Sequence, residues 1–161
     1  MINSDLIENA KSYKSRIKKN SLAKEPSRKL VIVTCMDSRL DIFKIFDLQD
    51  GQAHIIRNAG GVITEDVLRS IAISQRKLNT EELILMQHLD CGLKILDDLE
   101  FIDEITSVGG IKPNWIPHGF KDSHENMRQS LELIKNTPYV ISSNLAGLLI
   151  NETTGEVEQV L

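Results

Sequence analysis

The sequence predicts an α/β fold: a single domain whose mainly parallel sheet is flanked by helices and closed by a C-terminal hairpin. Three observations carry this. Leu30-Val31-Ile32-Val33 and Leu83-Ile84-Leu85-Met86 are unbroken apolar runs of strand length, the pattern of strands buried on both faces. Segments with helical spacing separate the strand candidates, and such alternation implies right-handed crossovers and a parallel sheet. Near the end, Thr154-Gly155 divides residues 147–150 from 156–160, which reads as a hairpin.

Residues 4–19 are expected to form a helix, with Leu6, Ala10, Tyr13 and Ile17 on one stripe and the basic pair Lys18-Lys19 at the end that favours cations. Residues 1–25 make a helical arm and 26–161 the core. Pro26 closes the linker into the first strand. Residues 41–47 read as a short helix ended by Asp50-Gly51, and residues 54–57 as a second strand running into Asn58-Ala59-Gly60-Gly61. Thr64 opens a helix to about Lys77, with Val67, Leu68, Ile71, Ala72 and Gln75 facing inward. A third strand over 82–87 delivers His88. From Gly92 a helical stretch uses Leu93, Ile95, Leu96, Leu99, Ile102 and Ile105 and stops at Gly109-Gly110. The loop 110–120 is either a cover near the site or an interface segment. Asp122 or Ser123 caps a helix to about Asn136, and residues 139–142 are expected as a fourth strand.

A chain of 161 residues can bury about two thirds of its unfolded surface in one core. The net charge of −4 argues against a nucleic-acid groove. Residues 1–19 are polar and charged, without the apolar stretch of an export signal, and no apolar run approaches the ~20 residues of a membrane span. A reducing, cytoplasmic setting is the expectation.

Chemistry concentrates where two strands end. Val31 to Thr34 runs into Cys35-Met36-Asp37-Ser38-Arg39, and the third strand runs into His88-Leu89-Asp90-Cys91-Gly92. Cys35, His88 and Cys91 form a sulfur, nitrogen, sulfur set of the softness zinc prefers, and one turn can aim His88 and Cys91 at a single point. Fifty-two residues lie between Cys35 and His88, so the fold, not a local loop, must close the set. A disulfide and a pair of buried structural thiols are the alternatives. A thiol phosphatase loop fails on spacing, because it wants arginine six residues after the cysteine and that position is Asp41. Asp37 and Arg39 read as a dyad or as a polar turn capping the next helix. Arg57 and Asn58 line a pocket or an interface, or satisfy loop backbone groups. Asp90 reads as support for the ligands. His54, His118 and His124 read as structural or solvated.

Cys35-Met36-Asp37-Ser38-Arg39, Arg57-Asn58-Ala59-Gly60-Gly61 and His88-Leu89-Asp90-Cys91-Gly92 together resemble the three signature stretches of the β-class carbonic anhydrases, in their compact microbial branch. The likeness is dense from Pro26 to Gly92 and thins to Glu125–Ser130 and the terminal hairpin. It implies one zinc per chain on Cys35, His88 and Cys91, and reversible hydration of carbon dioxide to bicarbonate by zinc-bound hydroxide. It further implies that Asp37 either accepts a hydrogen bond from that hydroxide or takes the fourth coordination place, with Arg39 as its ion-pair partner. The backbone N–H of Gly92 is the candidate donor to a bicarbonate oxygen. A sheet of four parallel strands plus an antiparallel C-terminal strand is also implied, as is a homodimer or higher even oligomer with the N-terminal helix exchanged between subunits. Leu89, Leu93 and Leu149 depart from the family pattern in the pocket lining. Carbonyl sulfide or carbon disulfide hydrolysis on the same zinc, and an idle zinc- or bicarbonate-binding protein, are the rival readings.

Overall fold

Strand β1 (Leu30–Cys35) is buried at all six positions, as its unbroken apolar run requires, because its alternating side chains enter packed clusters on both faces of the sheet. The computed structural model describes residues 3–15, 17 and 22–161. Its five-stranded sheet has the order β2-β1-β3-β4-β5, with β2 at Ala53–Asn58, β3 at Glu82–His88, β4 at Leu145–Ile150 and β5 at Val157–Gln159. Strands β2, β1, β3 and β4 are parallel and β5 is antiparallel to β4. The chain goes from β1 outward to β2 and then back across to β3. Strand order therefore reverses between β1 and β3, the place where open α/β sheets leave a crevice at their carboxyl edge.

Helices cover both faces. Val31, Val33, Leu83 and Leu85 pack with Val67, Leu68 and Ile71 of α3 (Glu65–Lys77) and with Met127, Leu131 and Ile134 of α5 (Ser123–Lys135). On the other face Leu30, Ile32 and Met86 meet Leu40, Leu48 and Ile42 of the short helix α2 (Ile42–Ile45). A Cβ on Gly147 would stand 2.7 Å from a Leu131 methyl, so a glycine lets α5 close onto β4. Thr64 and Asp122 cap α3 and α5 with their side chains, satisfying backbone N–H groups that lack intrahelical partners.

Several expectations are corrected. Residues 139–142 form a turn, not a strand, and β4 (Leu145–Ile150), expected only as a hairpin arm, is the fourth parallel strand. Gln75 explains the turn: its amide donates to the Ile141 carbonyl at 2.7 Å and accepts from the Ile141 N–H at 2.9 Å, replacing the neighbour a strand would need. Ser74, not Ala72, completes the buried stripe of α3, bonded to His54 and Thr80. The helix expected from Gly92 splits into a 3-10 turn, Gly92–Ile95, and α4 (Asp98–Gly109), because Asp97 caps the second piece by accepting from Leu99 and Glu100. Its apolar stripe is largely outside the core, with Ile102 buried but Ile95 and Leu99 exposed. Helix α1 spans Ser4–Ser12 and continues as a 3-10 turn to Ser15, with no buried residue; Lys18-Lys19 lie outside the described residues.

Candidate metal centre

Parallel register sets the two signature ends side by side. Thr34 pairs with Met86, so Cys35, the last residue of β1, and His88, the last of β3, emerge together at the carboxyl edge. Cys91 follows after a two-residue turn and caps the Gly92–Ile95 turn. The two thiols and the imidazole nitrogen lie within 4.8 Å of one another and all three residues are buried. Tetrahedral zinc with bonds of about 2.0–2.3 Å needs donors roughly 3.5–3.8 Å apart, so the donor set fits one ion.

The electrostatics point the same way. Contact with the Cys91 thiol pulls Cys35 down against the opposing effect of burial, with His88 assisting. Cys91 is pushed up in return by Cys35 and by burial. Two thiols this close share a proton until a cation stabilises both as thiolates. Burial disfavours the His88 imidazolium, but Cys35, Glu152 and Asp37 outweigh it and the net shift is upward.

Asp37 and Arg39 form the expected dyad. Arg39 Nε donates to Asp37 Oδ1 at 3.0 Å and Nη2 to Oδ2 at 2.8 Å, while the Arg39 backbone N–H also donates to Oδ1. Those bonds hold the Asp37 carboxyl far below the usual carboxylate range. Arg39 further donates to the Asp90 carboxylate at 3.0 Å and its carbonyl at 2.8 Å, so Asp90 anchors the arginine and takes no place among the donors. Arg57 answers its open question by satisfying loop backbone: Nε donates to the Cys35 carbonyl and Nη2 to that of Asp37. Asn58 ties down the Val62 carbonyl.

The glycine pair has a steric reason. Gly61, at φ +61°, approaches β1 so closely that a Cβ would stand 2.9 Å from the Cys35 nitrogen, a position and conformation only glycine accepts. The approach is fixed by Gln87, buried in β3, which donates to the Gly61 carbonyl and accepts from Asn126. Gln87 was not singled out, although a lone amide in an apolar strand was a visible signal. Gly92 opens its 3-10 turn at the protein surface with open space around Cα, and the first N–H groups of a helical turn lack partners within it. His54 is held by Ser74, and His124 pairs with Glu158 at the surface. Of the loop 110–120, Phe120 packs against the cluster that contains Cys35 and Cys91, and Asn114 to His118 wall a groove of about 840 Å³ against Asn58, Ala59 and the start of α3.

Glu152 was missed entirely. It lies two residues past β4, in a stretch that reads locally as turn, yet its side chain is 2% exposed, 3.6 Å from His88 Nδ1 and 3.5 Å from Arg39 Nη1. Only the pairing of His88 with Ile150 brings it there.

Comparison with known proteins agrees with this geometry. The family model described as carbonic anhydrase matches residues 30–154. The chain is 41% identical over 160 residues to beta-carbonic anhydrase 1 of Mycobacterium tuberculosis, covering 99% of this chain and 98% of that one. A carbonic anhydrase structure from Streptococcus mutans superposes with a TM-score of 0.88 at 32% identity over the full length of both chains. A carbon disulfide hydrolase of Acidianus is 39% identical over 87 residues, covering 54% of this chain and 42% of that one. A match across nearly the whole sheet, carrying the clustered thiols and imidazole with it, places the chain in the β-carbonic anhydrase family.

Proposed function

We propose that this chain catalyses the reversible hydration of carbon dioxide to bicarbonate on a zinc ion held by Cys35, His88 and Cys91. The observation that carries the reading is a buried Cys-His-Cys cluster with an arginine-clamped aspartate beside it. Zinc in such a set supplies hydroxide near neutral pH by bringing the pKa of water from 15.7 toward ~7. Cys35 and Cys91 temper that effect, because two thiolates offset the ion's charge, and the working range lies on the alkaline side. Asp37 accepts the hydrogen of the nucleophile and so aims its lone pair at carbon. Arg39 keeps Asp37 in that role by holding both carboxylate oxygens, the planar two-point grip that lysine lacks. The Gly92 N–H donates to an oxygen of bicarbonate.

The active unit is a dimer of this chain or a larger even oligomer. Leu6, Ile7, Tyr13 and Ile17 of the arm are exposed, as are Leu99, Val108, Ile111 and Trp115, an apolar surface that a second copy would cover. Both cysteines are free, which suits a reducing, cytoplasmic compartment; no described helix is long and apolar enough to cross a membrane.

Sulfur analogues of carbon dioxide are the second reading, favoured by the carbon disulfide hydrolase relative. Stopped-flow assays with carbon dioxide, carbonyl sulfide and carbon disulfide on the zinc-loaded protein separate the two. Faster turnover of carbon dioxide is expected; turnover of the sulfur compounds alone would overturn the proposal, as would a zinc-loaded protein that turns over none.

A further inference from the structure

Six buried side-chain atoms among the described residues have no hydrogen-bond partner, and four of them are the two nitrogens of His88 and the two carboxylate oxygens of Glu152. These groups face each other, with His88 Nδ1 3.6 Å from Glu152 Oε1 and both side chains at most 2% exposed. A buried carboxylate without a hydrogen bond is expensive, so its retention in this position calls for a reason. The turn that carries Glu152 does not supply one. Asn151 and Thr154 organise that turn without it: Asn151 Oδ1 accepts from the Thr153 and Thr154 N–H groups, the Asn151 N–H donates to the Glu156 carbonyl, its carbonyl accepts from Gly155, and the Thr154 hydroxyl bonds to Glu156.

We propose that Glu152 is a positioning residue for His88, accepting the Nδ1–H of its imidazole and so leaving Nε2 as the nitrogen offered to the metal. A neutral imidazole has one N–H and one lone pair, and which nitrogen carries the proton is set by the hydrogen bond the other one makes. A carboxylate behind a metal-bound histidine fixes the tautomer and ring orientation and raises the basicity of the ligand. The separation of 3.6 Å is beyond the usual 2.7–3.2 Å of such a bond, so the proposed bond requires the two groups to draw closer than they stand here. Glu152 also stands 3.5 Å from Arg39 Nη1, between the histidine and the arginine that grips Asp37. It thereby joins the donor set to the group that restrains the aspartate. Strand register puts it there: His88 pairs with Ile150, and the Leu89 N–H donates to the Ile150 carbonyl at 3.0 Å.

The inference rests on the zinc reading above, and its test reads metal binding rather than turnover. Zinc affinity of the full-length protein is measured by competition with a chromophoric chelator for wild type, Glu152→Gln and Glu152→Ala. About tenfold weaker binding is expected for Gln, which keeps an acceptor but no charge, and a loss approaching 100-fold for Ala. Folded variants that bind zinc within threefold of wild type would overturn it. Should neither variant fold, the wild type suffices: two-bond ¹H–¹⁵N correlation spectra of the zinc-loaded protein report the His88 tautomer. Protonated Nδ1 with a downfield, slowly exchanging proton is expected; a metal-bound Nδ1 or a rapidly exchanging proton sinks the proposal. A wild type that binds no zinc would instead overturn the functional reading on which it stands.

Discussion

The two halves of the site are built on opposite principles. Around Asp37 nearly every polar group has a protein partner: Arg39 grips the carboxylate, Asp90 grips Arg39, and Arg57 pins the carbonyls of Cys35 and Asp37. Around His88, buried nitrogens and carboxylate oxygens face one another without bonds, and two thiols crowd within a shared donor cluster. The contrast separates restraint from reactivity. The polypeptide itself fixes the Asp37 carboxylate, whereas the clustered thiols and imidazole keep lone pairs that a cation could satisfy.

The largest effect should come from attacking the unpartnered half. Cys91→Ser removes one of three protein donors, and we expect loss of stoichiometric zinc by elemental analysis with a fall in carbon dioxide hydration of roughly 10³-fold or more. Full zinc content in this variant would erase the contrast. Attacking the restrained half should leave the metal in place and lower the rate. Arg39→Ala frees Asp37 to ligate the ion, and turnover should fall on the order of 10²-fold at every pH, since small misplacements cost that much. Arg39→Lys should recover part of it. Arg57→Ala removes no donor and no member of the dyad but releases the backbone carbonyls of Cys35 and Asp37. About tenfold in rate is expected there, with a lowered melting temperature and unchanged zinc content.

The same contrast explains what the sequence could and could not disclose. The strands β1 and β3 and the three donors were readable because unbroken apolar runs announce buried strands, and soft ligands at their ends announce a shared point. The partners of Asp37 were half readable: Arg39 is two residues away, whereas Arg57 acts on backbone carbonyls and leaves no pattern. Residues 139–142 misled because β-branched and aromatic content suggests strand, and the decisive partner, Gln75, lies 66 residues earlier. Glu152 was invisible because local sequence says turn, and only the register of β3 against β4 turns its side chain inward. The stripe on α4 has helical spacing, yet Leu99 is exposed, Ile105 half-buried and Ile102 buried; periodicity tells that a face is apolar, not what covers it.

The smallest expected effect is a flat line, and it tests the restrained half most sharply. Arg39 depresses the Asp37 carboxyl through side-chain and backbone hydrogen bonds. A carboxylate whose pKa in the folded protein lies below its unfolded value, here 3.8, contributes stability that is complete above that value. It loses that contribution only as pH falls through the folded pKa. Between pH 5.5 and 8 Asp37 therefore stays charged in both folded and unfolded chains, and the ion pair adds no pH dependence. The difference in melting temperature between zinc-loaded wild type and Asp37→Asn should be the same at pH 5.5, 7 and 8, and should begin to narrow only below about pH 4. Half of the Arg39 side chain is exposed, so salt should shrink the difference uniformly across that range by screening. A difference that failed to narrow below pH 4 would mean that the folded pKa of Asp37 is not depressed, since only a folded value below the unfolded one makes the contribution fade in acid. Arg39 would then not hold Asp37 in the folded protein, and the two halves of the site would be equally unrestrained.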